Sequence, residues 1–280
     1  MFGTTLLDFM PLWAVFLGSA ILIVASIEIG FTIGRMRAKR TKKGELPQVG
    51  GSVAATLGLL AFMMAFTFGS TTSRWDERKS LVLEEANALG TAYLRADLLP
   101  EPQQSNVKQM LKEYLALGLG LAAETNVKRL RKVDKLVEFE NNVKSVLAEA
   151  SSLQNLMWLE AMAAYQVQPT PGTSLFISAL NGAFDLQQSR VTKALSQRMP
   201  MVFWLTLYSL AALGMGLGGY DSGLTRGGRS LSPWVVALAF SAVLLLIVAL
   251  DRPQTSRVNQ APLQQLFDSI SAANPQHSKG

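Results

Sequence analysis

Glu28 is the one carboxylate set well inside an apolar run of this 280-residue chain, and Arg35 follows seven residues later. An ionisable group at membrane depth is costly, so it points to an ion path, a proton site or a buried ion pair. Seven residues are about two helical turns, so Glu28 and Arg35 share a face and a plain structural pair is the alternative. A second pattern is apolar. Gly58, Phe62 and Phe66 stand at four-residue intervals. Several copies of such a stripe around an axis would form a constriction that gates by dewetting. A lone copy would turn it to lipid or into a packed core. Small residues recur nearby, as Ala54 and Gly58, as Ala61, Ala65 and Gly69, and later as Ala212, Gly214, Gly216 and Gly218. They allow close approach of helix backbones.

Most catalytic chemistry has no residues to run on. There is no cysteine, and the one histidine, His277, lies in a polar C-terminal stretch that reads as a frayed end. Thiolate nucleophiles and zinc–sulfur sites are therefore absent. The alternating glycines do not open a helix after a strand, so they form no dinucleotide fingerprint. No catalytic residue, metal site or cofactor is expected. Glu84, Glu85, Glu124, Glu138 and Glu140 read as surface carboxylates on solvated helices. The net charge of +6 does not imply nucleic acid, because no groove-reading motif accompanies it.

Four apolar runs must position these residues. They cover 12–33, 51–69, 200–219 and 233–250, each near the 20 residues that cross a hydrocarbon core. The first is too long for a signal-peptide core and is followed by basic residues, so it reads as retained. Trp13, Trp75, Trp204 and Trp234 lie near the ends, as an interfacial belt would have them. The rest divides into a short N-terminal tail (1–11), a basic loop (34–50), a soluble domain (70–199), a second loop (220–232) and a C-terminal tail (251–280). Within the soluble domain, periodicity and the breakers Pro100, Pro102, Pro169, Pro171 and Gly172 predict helices over 74–98, 103–123, 127–166 and 174–198. Leu130, Val133, Leu136, Val143, Val146, Leu147, Leu153 and Leu156 form the expected core stripe of the third. The first helix is expected to continue the second membrane run, and the fourth to feed into the third membrane run. The fold class is all-α, a four-helix transmembrane protein of two plus two spans with an inserted helical soluble domain.

Six basic residues (Arg35, Arg37, Lys39, Arg40, Lys42 and Lys43) follow the first run and none precedes it. This bias places 34–50 in the cytoplasm, against anionic headgroups, and the helical domain outside.

The run Leu59-Leu60-Ala61-Phe62 through Ser73-Arg74-Trp75-Asp76-Glu77-Arg78-Lys79 resembles the bestrophin signature, an apolar pore helix followed by Arg, aromatics, an acid and basic residues. The chain is more closely similar to the bacterial bestrophin-like family of unknown function. The resemblance rests on Glu84-Glu85-Ala86-Asn87-Ala88, on Gly90-Thr91-Ala92-Tyr93-Leu94-Arg95-Ala96-Asp97, on Asn181, Asp185 and Arg190, and on Asp251-Arg252-Pro253. It covers nearly the whole chain. It implies a bacterial inner-membrane protein, a pentameric homo-oligomer passing inorganic anions or cations, with a neck at Gly58, Phe62 and Phe66. Its motif residues are Arg74, Trp75, Glu77, Glu84, Glu85, Asn87, Tyr93, Arg95, Asp185 and Arg190. The chain departs from bestrophins in having Asp76 in place of the second aromatic and no acidic calcium clasp after the fourth run. Bestrophins hold their helical domain in the cytoplasm. The charge pattern around this chain's own first helix favours the opposite orientation.

The leading expectation is thus an oligomeric ion channel in a lipid bilayer. The alternative is a non-conducting membrane sensor or scaffold whose helical domain binds a partner or ligand. No enzyme is expected.

Overall fold

The computed structural model describes residues 10–41, 46–124, 133–196, 199–225, 232–252 and 258–272, and every regular element among them is helical. The order is α1 (Leu12–Arg40), α2 (Gly50–Arg95), a 3-10 turn (Ala96–Leu98), α3 (Gln103–Glu124), α4 (Val133–Val167), α5 (Pro171–Ser196), α6 (Met201–Leu224), α7 (Ser232–Asp251) and α8 (Ala261–Ala272). Four of them, α1, α2, α6 and α7, are long and apolar enough to cross a membrane.

Local chemistry sets the breaks. Leu99 is extended at φ −87° and ψ 150°, as the residue before a proline must be, so the helical path ends ahead of Pro100. Thr170 starts α5: its Oγ1 accepts from the Thr173 N–H at 3.3 Å, and Pro171 takes the first helical position, where no donor is needed. α6 starts at Met201 behind an extended Pro200 (φ −56°, ψ 143°). The expected continuity from the last soluble helix into the third span therefore fails. α5 ends at Ser196, and a proline in extended geometry stands before α6. By contrast α2 runs unbroken for 46 residues. The basic residues after the first run do not form a loop from residue 34. Arg35, Arg37, Lys39 and Arg40 are exposed on the last turns of α1 itself, while Lys42 and Lys43 lie outside the described residues.

The chain forms two compact units, residues 1–75 with 198–256, and residues 76–197 with 257–280. In the first, α6 is built as a two-sided helix of small residues. On one side Gly216, Gly219 and Gly223 meet α1. The position a Cβ would take on Gly219 collides with the Ile27 carbonyl oxygen and lies 2.9 Å from its carbon. Gly223 stands in the same way against Phe31, and Gly30 and Gly34 against Gly216 and Tyr220. On the other side Gly214 faces Leu57 and Thr56, and Gly218 faces Val53. From these pairs α1 and α6 run parallel, whereas α2 runs antiparallel to α6. With no hydrophobic drive between helices in lipid, such backbone approach is what holds a bundle. Ile23, Leu60, Met64, Leu207, Ala211, Leu244 and Ile247 complete the core, and the Ser19 hydroxyl bonds Tyr208 Oη at 2.9 Å. Trp204 belongs to this core at 2% exposure, not to an interfacial belt, while Trp13 and Trp234 are exposed.

In the second unit Val82, Ala86 and Leu89 of α2 pack with Val107 and Leu111 of α3, Met157, Ala161 and Ala164 of α4, and Phe176 and Leu180 of α5. The C-terminal stretch is not a mere tail. Its helix α8 sends Leu263, Leu266, Phe267 and Ile270 into the same core. The expected α4 stripe is partly displaced. Val143 is buried but Leu156 is exposed, and small residues at 150, 161 and 164 with Met157 carry the contact. Leu130 lies outside the described residues.

Candidate functional site

Gly58, Phe62 and Phe66 share the exposed face of α2. Phe62 is 67% and Phe66 57% exposed, and a Cβ on Gly58 would meet nothing within 4 Å. The opposite face of the same helix is closed by Leu60, Met64, Thr67 and Thr71. Thr67 and Thr71 satisfy their hydroxyls on carbonyls one turn back, at Met63 and Thr67, so this buried face carries no unpaired hydroxyl at these two positions. Glu28 is not part of this face. It sits half-buried on α1, whose packing partners are α6 and α7, and beside it Ile29, Thr32 and Ile33 line a shallow open groove of about 290 Å³.

Where α2 leaves this unit, polar contacts tie it to the starts of α1 and α6 and the end of α7. Asp251 lies 3.9 Å from Arg74 Nη1 and accepts the Met199 backbone N–H at 3.2 Å. Arg252, buried, donates to the Met10 carbonyl at 2.7 Å. Asp251 and Arg252 at the end of α7 thus link the starts of α1 and α6 to α2. Trp75, half-buried, stands next to this clamp.

The second unit has its own charged centre. Glu85, expected on the surface, is 1% exposed, and its Oε2 lies 2.5 Å from Arg190 Nε. This is a close charge contact rather than an aligned hydrogen bond. Arg190 also reaches Gln260 Oε1, and the buried Tyr114 accepts from Gln154 at 3.0 Å. Burial raises the Glu85 carboxyl above its ordinary value, and Arg190 only partly offsets this. Tyr114 is pushed up as well, by burial first and by the Glu85 charge second.

The other motif residues are scattered over this unit. Glu77 pairs with Lys193 at 3.2 Å, Arg95 donates to the Leu175 carbonyl at 3.0 Å, and Asn181 donates to Asp185 at 3.3 Å. Tyr93 is buried under Lys108, whose Nζ lies 4.9 Å from the ring centre and pairs with Asp97. Glu84 and Asn87 are exposed. Reasoning from the sequence missed the Gly30/Gly34 and Gly219/Gly223 pairs, although their four-residue spacing could have shown them.

A family model of the bestrophin-like domain matches residues 12–258, from the start of α1 to the approach of α8. The chain belongs to the bestrophin-like family. Among solved structures, this bestrophin-like protein is similar to a bacterial bestrophin homologue from Klebsiella pneumoniae, with TM-score 0.63 at 14% identity over 95% of this chain and 100% of that one. A mutated form of the same homologue gives 0.63 at 15% identity, over 94% and 96%. At such identity the likeness carries the fold. The sequence finds no significant match among curated proteins.

Proposed function

We propose that this bestrophin-like protein is an oligomeric membrane ion channel, with copies of α2 around a shared axis and Phe62 and Phe66 as its hydrophobic neck. The observation that carries the reading is the exposed Gly58–Phe62–Phe66 face on a helix whose opposite side is packed. Two large aromatic rings without intramolecular cover fit a neighbouring copy better than isolated lipid contact, because small residues flank them. Ala61, Ala65 and Gly69, all exposed, leave room for the next helix. Five copies, as in the bestrophin reading, would close a narrow apolar ring that inorganic ions pass only when it is wetted. Membership of the bestrophin-like family supports the channel reading, and the Klebsiella pneumoniae homologue shares the fold.

In this account the protein resides in the bacterial inner membrane. We place the end of α1 in the cytoplasm and the helical domain on the outer side; the basic residues Arg35, Arg37, Lys39 and Arg40 after the first span support this orientation.

The test is ion flux through vesicles holding the purified protein. Phe62→Ala with Phe66→Ala widens the neck and is expected to raise flux about tenfold or more, the apolar barrier being removed. If neither wild type nor the double variant exceeds empty vesicles, the channel reading is wrong and the non-conducting scaffold takes its place.

A further inference from the structure

The helical unit, residues 76–197 with 257–280, leaves two apolar faces uncovered. The first is on α4. Leu156, Trp158, Leu159, Met162 and Tyr165 are 36–64% exposed, on the side of the helix opposite Met157, Ala161 and Ala164. Residues 150–184 hold one charged residue, Glu160, in a chain that is 16% charged. Glu160 is half-buried and accepts from Asn106 Nδ2 of α3 at 3.0 Å, so it leaves this face neutral. The exposed polar groups among the apolar ones, Asn155 and Gln166, are uncharged amides. The second face is on α2, opposite Val82, Ala86 and Leu89. Ser80, Leu83, Asn87, Thr91 and Leu94 fall within an arc of about 80° there, and all are exposed. Leu98 and Leu175 extend it around the start of α5, where Gly172 lies against Leu98 and Arg95 bonds the Leu175 carbonyl. Asp76, Lys79 and Glu84 border it.

Single exposed leucines are ordinary, but a charge-free face of Trp, Tyr, Met and Leu has the composition of an interface core. At about 200 Å² for a large side chain, each face offers about 450 Å² of exposed apolar surface. One partner in a stable interface contributes about 800 Å², a little over half of it apolar, so each face is large enough for one interface. The two faces differ in make-up yet match in size and neutrality. A foreign protein or a lipid surface would need only one of them. A ring of identical copies needs both, one turned to the copy before and the other to the copy after. Resting on the oligomeric part of the channel reading, we propose that the partner of the helical unit is a second copy of this chain, the α4 face of one copy docking on the α2 face of the next.

The experiment is the mass of the protein purified in mild detergent, measured by light scattering over a dilution series, with ion flux recorded from the same preparations. Wild type is expected as a single multi-copy species. Leu159→Glu with Met162→Glu, and separately Leu83→Glu with Leu94→Glu, would bury charges without partners. Each pair is expected to dissociate at a protein concentration about a hundredfold higher than wild type does. Ala116→Glu, exposed on α3 outside both faces, should assemble as wild type. Matching helix content by circular dichroism checks folding; should an acidic pair lose helix, Leu159→Asn with Met162→Gln reads the same effect on a smaller scale. Wild-type assembly in both acidic pairs, or dissociation of only one of them, overturns this inference and, with flux retained, leaves the channel reading standing. A wild type that is a single copy throughout overturns both. The expected pattern of dissociation without flux above empty vesicles supports the contact and sinks conduction alone.

Discussion

Glu85 and Arg190 meet at 2.5 Å in the core of the helical unit, one from α2 and the other from α5. The carboxylate side chain is only 2% exposed and the guanidinium 21%. Losing either partner is therefore unequal. A glutamine at 85 leaves a cation that can reach water and Gln260, whereas loss of Arg190 leaves a buried anion alone.

Arg190→Gln is expected to destabilise the protein at neutral pH by about 3 kcal/mol, more than Glu85→Gln does. The pH dependence has a definite sign. The folded Glu85 carboxyl titrates above 4.5, so its favourable contribution is complete below that value and is lost as pH rises through the folded pKa. Without Arg190 the folded value climbs further. Arg190→Gln should therefore recover toward wild-type stability on acidification, and Glu85→Gln should flatten the profile. Unfolding followed by circular dichroism across this pH range checks both. A deficit in Arg190→Gln that stays constant with pH would contradict the assignment.

The glycines of α6 give a second expectation, about packing. Gly219→Ala places a methyl group against the Ile27 carbonyl, backbone that cannot turn aside, so α1 and α6 must separate. The cost should be about 1–3 kcal/mol. Gly58→Ala enters open space and should be neutral or slightly stabilising, by up to about 1 kcal/mol, since alanine favours the helix. Melting temperatures in detergent compare the two. Equal effects would mean that the tight α1–α6 contact is not what holds the bundle.

These cases also show what was legible in the sequence. Four spans and an all-helical soluble unit follow from run length and period, signals that each segment carries by itself. The Phe62/Phe66 face was legible because spacing within one helix fixes which residues share a side. The burial of Glu85 is not legible locally, because it depends on α5 and α8 arriving from about a hundred residues away or more, which no local pattern encodes. The same holds for α4, where leucine periodicity pointed to Leu156 but close packing selected Met157, Ala161 and Ala164. The small residues allow nearer approach, and a count of large apolar side chains does not register that. Pro200 signals a helix start in the sequence, but its extended ψ, which breaks the path from α5, is not encoded by the residue type.

The central claim is that copies of α2 surround one axis with Phe66 toward it. The chain has no cysteine, so a single introduced thiol reports its own neighbourhood. Phe66→Cys in membranes, oxidised and run without reductant, is expected to give covalently linked dimers. Ile21→Cys, at a position 67% exposed on α1, should stay monomeric. Phe66→Cys that remains monomeric under conditions where a thiol reagent reaches it would place that face in lipid and contradict the account.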